Sequence, residues 1–350
     1  MGVREPMPLR IGFAYNEKPD PEDEPPGTVR PTDDAFAEWD DPATIAAVAA
    51  ALGRAGDVIR LEADESFPAR LRETRPDIVF NIAEGLHGPN REAHVPAICE
   101  FFGIPYTGSD PLALGLSLDK RRAKDVWVAA GVPTPAYEVV SEPASRHAAL
   151  HVPIPAIVKP LFEGSSKGIP ESALCTSPDD VLARVDTVLE EYGQPALVEA
   201  FLAGREFTCA ILGNGAAARA LPLVEIRFDA LPAGAKPIYG YEAKWLWDTP
   251  DRPLEIFRCP AAVEPALESA LADTSLRAFH ALGCRDWGRV DLRLDDDGVP
   301  HVLEINPLPG VLPDPEQNSC FPKAARAAGM DYDTLIGAVL DAGLERYGLR

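Results

Sequence analysis

The sequence predicts an α/β protein of two or three domains that opens on a small parallel sheet. Three observations predict it. At 350 residues the chain exceeds what one core ordinarily organises. Through about residue 112, strand-like apolar runs alternate with helical segments, the pattern of parallel strands joined by crossover helices. From about residue 200, strand-rich runs close on "RVDLRLDDDGVPHVLEIN" (289–306), two alternating apolar runs around Asp297-Gly298, which is the strongest short hairpin signal.

Each element follows from local chemistry. "LRIGFAYN" (9–16) reads as a buried first strand. Residues 17–41 hold ten Asp/Glu against two basic residues and many prolines, which predicts a solvated loop. "DPATIAAVAAALGRAG" follows, with Asp41 at the N-cap, Pro42 at N1 and glycine at its end, a marked helix. "DVIRLEA" and "PDIVFNIA" read as strands and "REAHVPAICEFFG" as an amphipathic helix. "DKRRAKDVWVAAG" (119–131) is a helix stopped by Gly131. "IPAIVKP" and "PALVEAFL" are strands bracketing a glycine-serine loop and the helix "SPDDVLARVDTVLEEYG". "REFTCAILGNGAAARALPLVEIRF" is strand-rich, with "GNGAAA" (213–218) as a hairpin turn. "PALESALADTSLRAFHALG" and "DYDTLIGAVLDAGLERYG" are helices, the second amphipathic and expected to dock. These runs divide the chain at 1–112, 113–199 and 200–350.

Charge narrows the function classes. A formal net charge of −22 argues against nucleic acid, which needs a basic footprint, and against anionic membranes. No apolar run has transmembrane length and the N-terminal residues carry no secretory pattern, so a cytoplasmic protein is the expectation. The six cysteines are scattered with no C-x-x-C spacing, which predicts buried, inert thiols. His87 and His94 show no ligand spacing and are expected to touch substrate or nothing. Against 25 arginines the chain keeps eight lysines. In such a background a retained lysine can serve as a compact point charge, which singles out Lys120, Lys159, Lys167 and Lys244; Lys18 and Lys323 suit solvated faces.

Four segments could carry chemistry. "AIVKPLFEGSSKGI" puts Lys159 at a strand end before Gly164, Ser165, Ser166 and Gly168, small residues that let backbone N–H groups approach phosphate; alone, such a loop is equally a flexible turn. "LVEAFLAGREF" separates Glu199 from Glu206 by a turn and offers carboxylates to a base amino group and to ribose hydroxyls, or two solvated glutamates. "YEAKWLWD" sets Lys244 among aromatics. If Asp297-Gly298 is the hairpin loop, Asp291 faces Glu304 and Arg289 faces Asn306, and all four side chains share one face. Oxygen ligands so collected suit Mg²⁺ beside phosphates, while Arg289 could simply pair with Asp291.

Taken in order, "GIPYTGSDPLALGLSLDK", "AIVKPLFEGSSKGI", "EAFLAGREFTCAIL", "YEAKW", "LGCRDWGRVDLRLD" and "LEINPLPG" resemble the ATP-grasp superfamily, most closely the D-alanine–D-alanine ligases. The resemblance implies a three-domain ATP-grasp fold, α+β in its ATP-grasp part, with an N-terminal Rossmann-like parallel sheet. It implies nucleotide contacts from Lys120 and Lys159, phosphate coverage by Ser165 and Ser166, adenine at Glu199 and the backbone near Leu202, ribose at Glu206 and the terminal phosphates at Lys244. Asp291, Glu304 and Asn306 would hold two Mg²⁺ ions, with Mn²⁺ as a substitute, and Arg289 would face the reacting carboxyl. The implied reaction joins a carboxylate to an amine at the expense of ATP, through an acyl phosphate, in a homodimer acting on amino-acid-like substrates.

Three stretches depart from the family pattern. "AYNEKPDPEDEPPGT" lacks the Gly-Gly-Ser-Glu whose glutamate grips the first ammonium, "HGPNREAHV" lacks Gly-Glu-Asp-Gly, and "VLPDPEQNSCFP" replaces the Ser-rich acceptor loop. Substrates are therefore expected to be altered. Alternatives are a true D-alanine–D-alanine ligase with rebuilt loops, a nucleotide-binding regulatory protein without turnover, and, more weakly, a hydroxyl kinase of the same superfamily.

Overall fold

A computed structural model describes residues 8–19, 36, 38–85, 87–248 and 254–350. Three sheets organise the chain. The first is parallel, with β1 (Leu9–Tyr15) between β2 (Gly56–Glu62) and β3 (Ile78–Asn81). β1 and β3 bury nearly every side chain, as a strand covered on both faces must. Helix α1 (Pro42–Leu52) crosses over from β1, capped by Asp41, whose carboxylate accepts from the Thr44 N–H at 2.7 Å. Helix α2 (Phe67–Thr74) precedes β3 and α3 (His94–Phe102) follows it. Neither α2 nor α4 (Pro111–Leu118) was read from the sequence. α2 is short and mostly polar, and α4 runs into α5 (Lys120–Ala129) with only Asp119 between them.

The second sheet is antiparallel: β4 (Tyr137–Val140), β7 (Ala196–Ala200), β5 (Ala156–Pro160) and β6 (Leu174–Cys175), in that order. Helix α6 (Pro178–Glu191) packs on it, started by a Ser177–Asp180 capping box. The third sheet runs β11 (Phe257–Arg258), β10 (Val224–Ile226), β8 (Glu206–Leu212), β12 (Trp287–Leu294), β13 (Pro300–Asn306), with β9 (Arg219–Ala220) closing the expected 213–218 hairpin on β8. Helix α7 (Pro265–Ala281) covers one face, so the other faces the second sheet across a cavity. After α8 (Cys320–Ala327), α9 (Tyr332–Arg346) returns to the first sheet and packs against α1 in the same apolar cluster. Its Arg346 bonds buried Asp286 at 2.8 Å and so ties the C-terminus to the start of β12. No described helix is long and apolar enough to cross a membrane.

Candidate active site

One cavity of about 520 Å³ is lined from the second and third sheets and from the segments that follow β1 and β3, a size ordinary for a small-molecule site. Its floor is the uncovered face of the third sheet. There the register sets Asp291 opposite both Thr208 and Glu304, and Arg289 opposite Asn306. The expected opposition of Asp291 and Glu304 holds, but the two-residue loop does not. Leu294 pairs with Pro300, the turn spans 295–299, and a bulge leaves Leu303 without a partner. Asp295 explains the longer turn: its carboxylate accepts from the Asp297 and Val299 N–H groups at 3.0 and 2.8 Å. The bulge restores register before the chain reaches Glu304, and Leu303 and Glu304 both line the cavity.

On this floor Arg289 forks onto Asp291 at 3.0 and 3.1 Å, and the Asn306 amide reaches the same carboxylate at 3.4 Å. Asp291, Glu304 and Asn306 are thus together, two carboxylates and a carboxamide. Among the described residues no three His, Cys, Asp or Glu side chains form a metal cage. That donor set fits Mg²⁺, which ordinarily takes one or two carboxylates and completes its shell with phosphate oxygens and water.

The roof comes from the second sheet and α5. Glu199 is buried between two lysines, Lys124 at 2.5 Å and Lys159 at 3.4 Å. Lys120 sits one turn from Lys124 on the same helical face and donates to the Glu163 carbonyl. Lys124 is fully buried and also holds Thr134 at 2.6 Å. It escaped the sequence reading, although its spacing from Lys120 was the available signal. Glu206 pairs with Arg293 at 2.9 Å, whose guanidinium lies 4.3 Å from the Phe201 ring centre, and Leu202 lines the cavity beside them. Arg293 was likewise missed.

The glycine-serine loop turns through two left-handed residues, Ser165 (φ 52°) and Ser166 (φ 60°), a conformation uncommon outside glycine. Ser166 Oγ anchors it to the Tyr239 carbonyl at 2.9 Å. At Gly164 a Cβ would lie 2.4 Å from the Glu38 carboxylate, so a larger residue there would displace that side chain. Glu38 is only 8% exposed in its side chain and is held by Arg91 at 2.9 Å and Lys167 at 3.0 Å; Lys167 also meets Glu163 at 2.7 Å. This corrects the reading of 17–41 as solvated throughout: Glu38, Asp40 and Lys18 line the cavity, while 20–35 and 37 lie outside the described residues. His87 and His94 are exposed and not among the lining residues. Four of the six cysteines are buried; Cys320 reaches the cavity, but burial pushes its thiol up to about 12 and leaves it protonated.

Lys244 lies in a π-helical turn, Glu242–Trp247. The loop after Gly310 reaches back to that turn, because the Asn318 amide donates to both Asp248 oxygens at 2.8 Å and to the Leu254 carbonyl at 2.9 Å. Tyr239 also donates to Asp248, at 2.9 Å.

Charge balance divides the cavity. Burial pushes the Glu199 and Glu304 carboxyls up, but facing lysines outweigh it and hold both below the usual range. For Asp291 burial wins, aided by Glu304, and its carboxyl is raised despite Arg289. Burial lifts Glu206 to about 7, only partly offset by Arg293. Burial and then Arg289 lower Lys244 to about 8. A floor with crowded carboxylates and a roof with buried lysines is the electrostatic complement of a metal-bound polyphosphate.

The family model for the C-terminus of D-ala D-ala ligases matches residues 126–341. The chain belongs to the D-alanine–D-alanine ligase family. It is 38% identical over 265 residues to a D-alanine–D-alanine ligase of Bordetella petrii, covering 75% of each chain. It is 40% identical over 270 residues to the uncharacterized protein y4sG of Sinorhizobium fredii, covering 77% of this chain and 75% of that one. The fold matches a Bacillus anthracis D-alanine–D-alanine ligase complexed with ATP, with a TM-score of 0.71 at 22% identity, covering 97% and 99% of the two chains. It also matches the VanG D-Ala:D-Ser ligase of Enterococcus faecalis, with a TM-score of 0.71 at 19% identity, covering 96% and 100%. The ATP-grasp fold expected from the sequence is thus the observed one, and the chain is a ligase of the ATP-grasp, carboxylate–amine type.

Proposed function

We propose that the cavity binds ATP between the second and third sheets and that the chain couples its hydrolysis to amide formation between two amino-acid-like substrates. The observation that carries this reading is the opposition of Asp291, Glu304 and Asn306 on the floor to Lys120 and Lys159 on the roof. In this reading the adenine lies near Glu199 and the Leu202 backbone, the ribose at Glu206, and the terminal phosphates under Lys244, Ser165 and Ser166. Two Mg²⁺ ions, held by Asp291, Glu304 and Asn306, would supply charge neutralisation on the transferring phosphoryl group.

The protein's own contribution is positioning and electrostatics. Lys120 and Lys159 hold the phosphates from the roof. Lys244, beside Arg289 and inside the cavity wall, meets charge that develops on the γ-phosphoryl group. The substrate carboxylate attacks phosphorus and ADP leaves, giving an acyl phosphate. The amine then adds to its carbonyl carbon, Arg289 stabilises the oxyanion, and phosphate departs. Losing a preorganised donor of that kind costs about 2.7–4 kcal/mol, or 10²–10³ in rate. The glycine-serine loop and the Lys244 turn, joined through Ser166 and Tyr239, shield the acyl phosphate from water.

Both substrate ends are rebuilt. Glu38 is already neutralised by Arg91 and Lys167, and the loop after Gly310 closes on Asp248 through Asn318 and brings a single serine, Ser319, to the cavity. A homodimer, a cytoplasmic location and division into units at 1–112, 113–199 and 200–350 complete the proposal. Phosphate release over paired L- and D-amino acids tests the function, with turnover required from some pair and from neither member alone.

A further inference from the structure

The carboxylates of the cavity are not equally provided for. Asp291, Glu199, Glu206, Glu163 and Glu38 each have a cation within 3.4 Å. Glu304 is drawn down by Lys120 and Lys159. Glu84 and Glu92, at the end nearest the first sheet, make no hydrogen bond or ion pair with any described residue, yet both line the cavity. Glu92 is 8% exposed. A carboxylate that deep ordinarily has a partner.

Arg91, Lys120 and Lys167 act on this pair through space, but their hydrogen bonds and ion pairs are made elsewhere. Arg91, next in sequence to Glu92, is committed to Glu38 at 2.9 Å and to the Phe162 carbonyl at 3.0 Å. Lys167 is shared between Glu38 and Glu163, and Lys120 is engaged by the Glu163 carbonyl. The backbone beside Glu84 is pinned from both sides: the Gly85 N–H donates to Asn16 Oδ1 at 2.8 Å, and Trp39 Nε1 donates to the Gly85 carbonyl at 3.0 Å. Glu38, Asp40 and Glu84 also line a smaller recess against Leu308–Val311, adjoining the cavity. Burial, then mutual repulsion, raises Glu84 well above the ordinary carboxylate range, and burial lifts Glu92 to about 7. Both shifts follow from burial first and from neighbouring carboxylates second, and the nearby cations offset them only in part.

We propose that Glu84 and Glu92 receive a side-chain ammonium of one amino-acid substrate, so that the ligase accepts a basic amino acid at this end of its cavity. The inference rests on the ligase reading and names its substrate class. A zwitterion with a neutral side chain brings no net charge to this acidic end of the cavity, whereas a side-chain ammonium brings one. Two carboxylates at this end of the cavity that take no hydrogen bond or ion pair from a described residue cost stability that a bound cation would return.

Calorimetric titration of the full chain, with Mg²⁺ and a non-hydrolysable ATP analogue, tests it using ornithine and lysine against norvaline and norleucine in both stereochemical series. The expected result is at least one basic amino acid bound tenfold or more tighter than its neutral counterpart. Glu92→Gln and Glu84→Gln should each erase about tenfold of that preference while nucleotide affinity is kept. Equal affinity for the neutral compound, no binding by any basic one, or a preference unchanged in E84Q and E92Q overturns the proposal. Should a glutamine variant fail to fold, Glu92→Asp provides the second test, and the wild-type comparison alone remains decisive. Phosphate release with the same compounds reports separately on the ligase reading. A binding preference with no turnover in any pairing supports the recess and contradicts the ligase.

Discussion

Raising the pH through 8 should weaken ATP binding by removing the charge on Lys244. Burial and the neighbouring Arg289 lower this lysine from 10.5 to about 8 in the ligand-free protein. The sign follows from linkage. A lysine whose folded pKa lies below its unfolded value disfavours the fold while charged, so the penalty is full below pH 8 and fades as pH rises towards 10.5. Its size is the shift times about 1.36 kcal/mol, or about 3 kcal/mol. Polyphosphate beside Lys244 reverses that balance by adding anionic charge next to the ammonium. At pH 9 only about one molecule in eleven carries the charge before ATP binds. The KM for ATP should then stay flat below pH 8 and rise about tenfold per unit above it, until the bound-state pKa is passed. Initial rates of ADP release across pH 7–10 measure this. Lys244→Met should raise KM by roughly 10- to 150-fold at neutral pH, the loss of a charge-assisted bond of about 1.5–3 kcal/mol, and should remove the alkaline limb. A flat profile in the wild type, or an identical limb in K244M, would refute the reasoning.

The acidic side should depend on Glu206, lifted to about 7 by burial. Protonation below that value removes an acceptor for ribose hydroxyls, so the KM for ATP should rise as pH falls, and Glu206→Gln should abolish that limb in the same rate assay. Lys124→Met leaves Glu199 with only Lys159 at 3.4 Å. Breaking such a buried pair should cost about 3–5 kcal/mol, and adding Glu199→Gln should restore most of it; thermal unfolding of both singles and the double would show no recovery if the pair is inert. Asn318→Ala removes three bonds to Asp248 and Leu254. Limited proteolysis should then cut within 311–319 at least several-fold faster, and an unchanged rate would show that this contact does not hold the loop.

Much of the architecture was legible because period and caps agree with it. Asp41, Pro42 and the apolar stripe mark α1, and Ser177 with Asp180 marks α6. The floor was readable for a less secure reason. A two-residue turn at Asp297-Gly298 would pair Asp291 with Glu304, whereas the true turn is five residues and a bulge at Leu303 compensates. No local signal announces that bulge, since it depends on how β12 and β13 curve beneath the cavity. Arg293 and Lys124 were hidden because their roles need partners remote in sequence, Glu206 at 87 and Glu199 at 75 residues' distance. Glu38 was hidden by its company: an acidic, proline-rich stretch reads as solvated, and only tertiary contact with Arg91 and Lys167 makes it a wall. Glu84 follows the end of β3 and Glu92 lies in the Arg91–Ala93 turn before α3, within the segment that departs from the family pattern, but nothing local shows that the two face one cavity.

The most direct test of the central claim is coupled release of ADP, phosphate and amide from MgATP with paired amino acids, compared between the wild type and Glu304→Gln. The account predicts stoichiometric products that need both amino acids, and a loss of about 10²–10³ in rate in E304Q. No turnover with any pair, or an E304Q enzyme equal to the wild type, would contradict it.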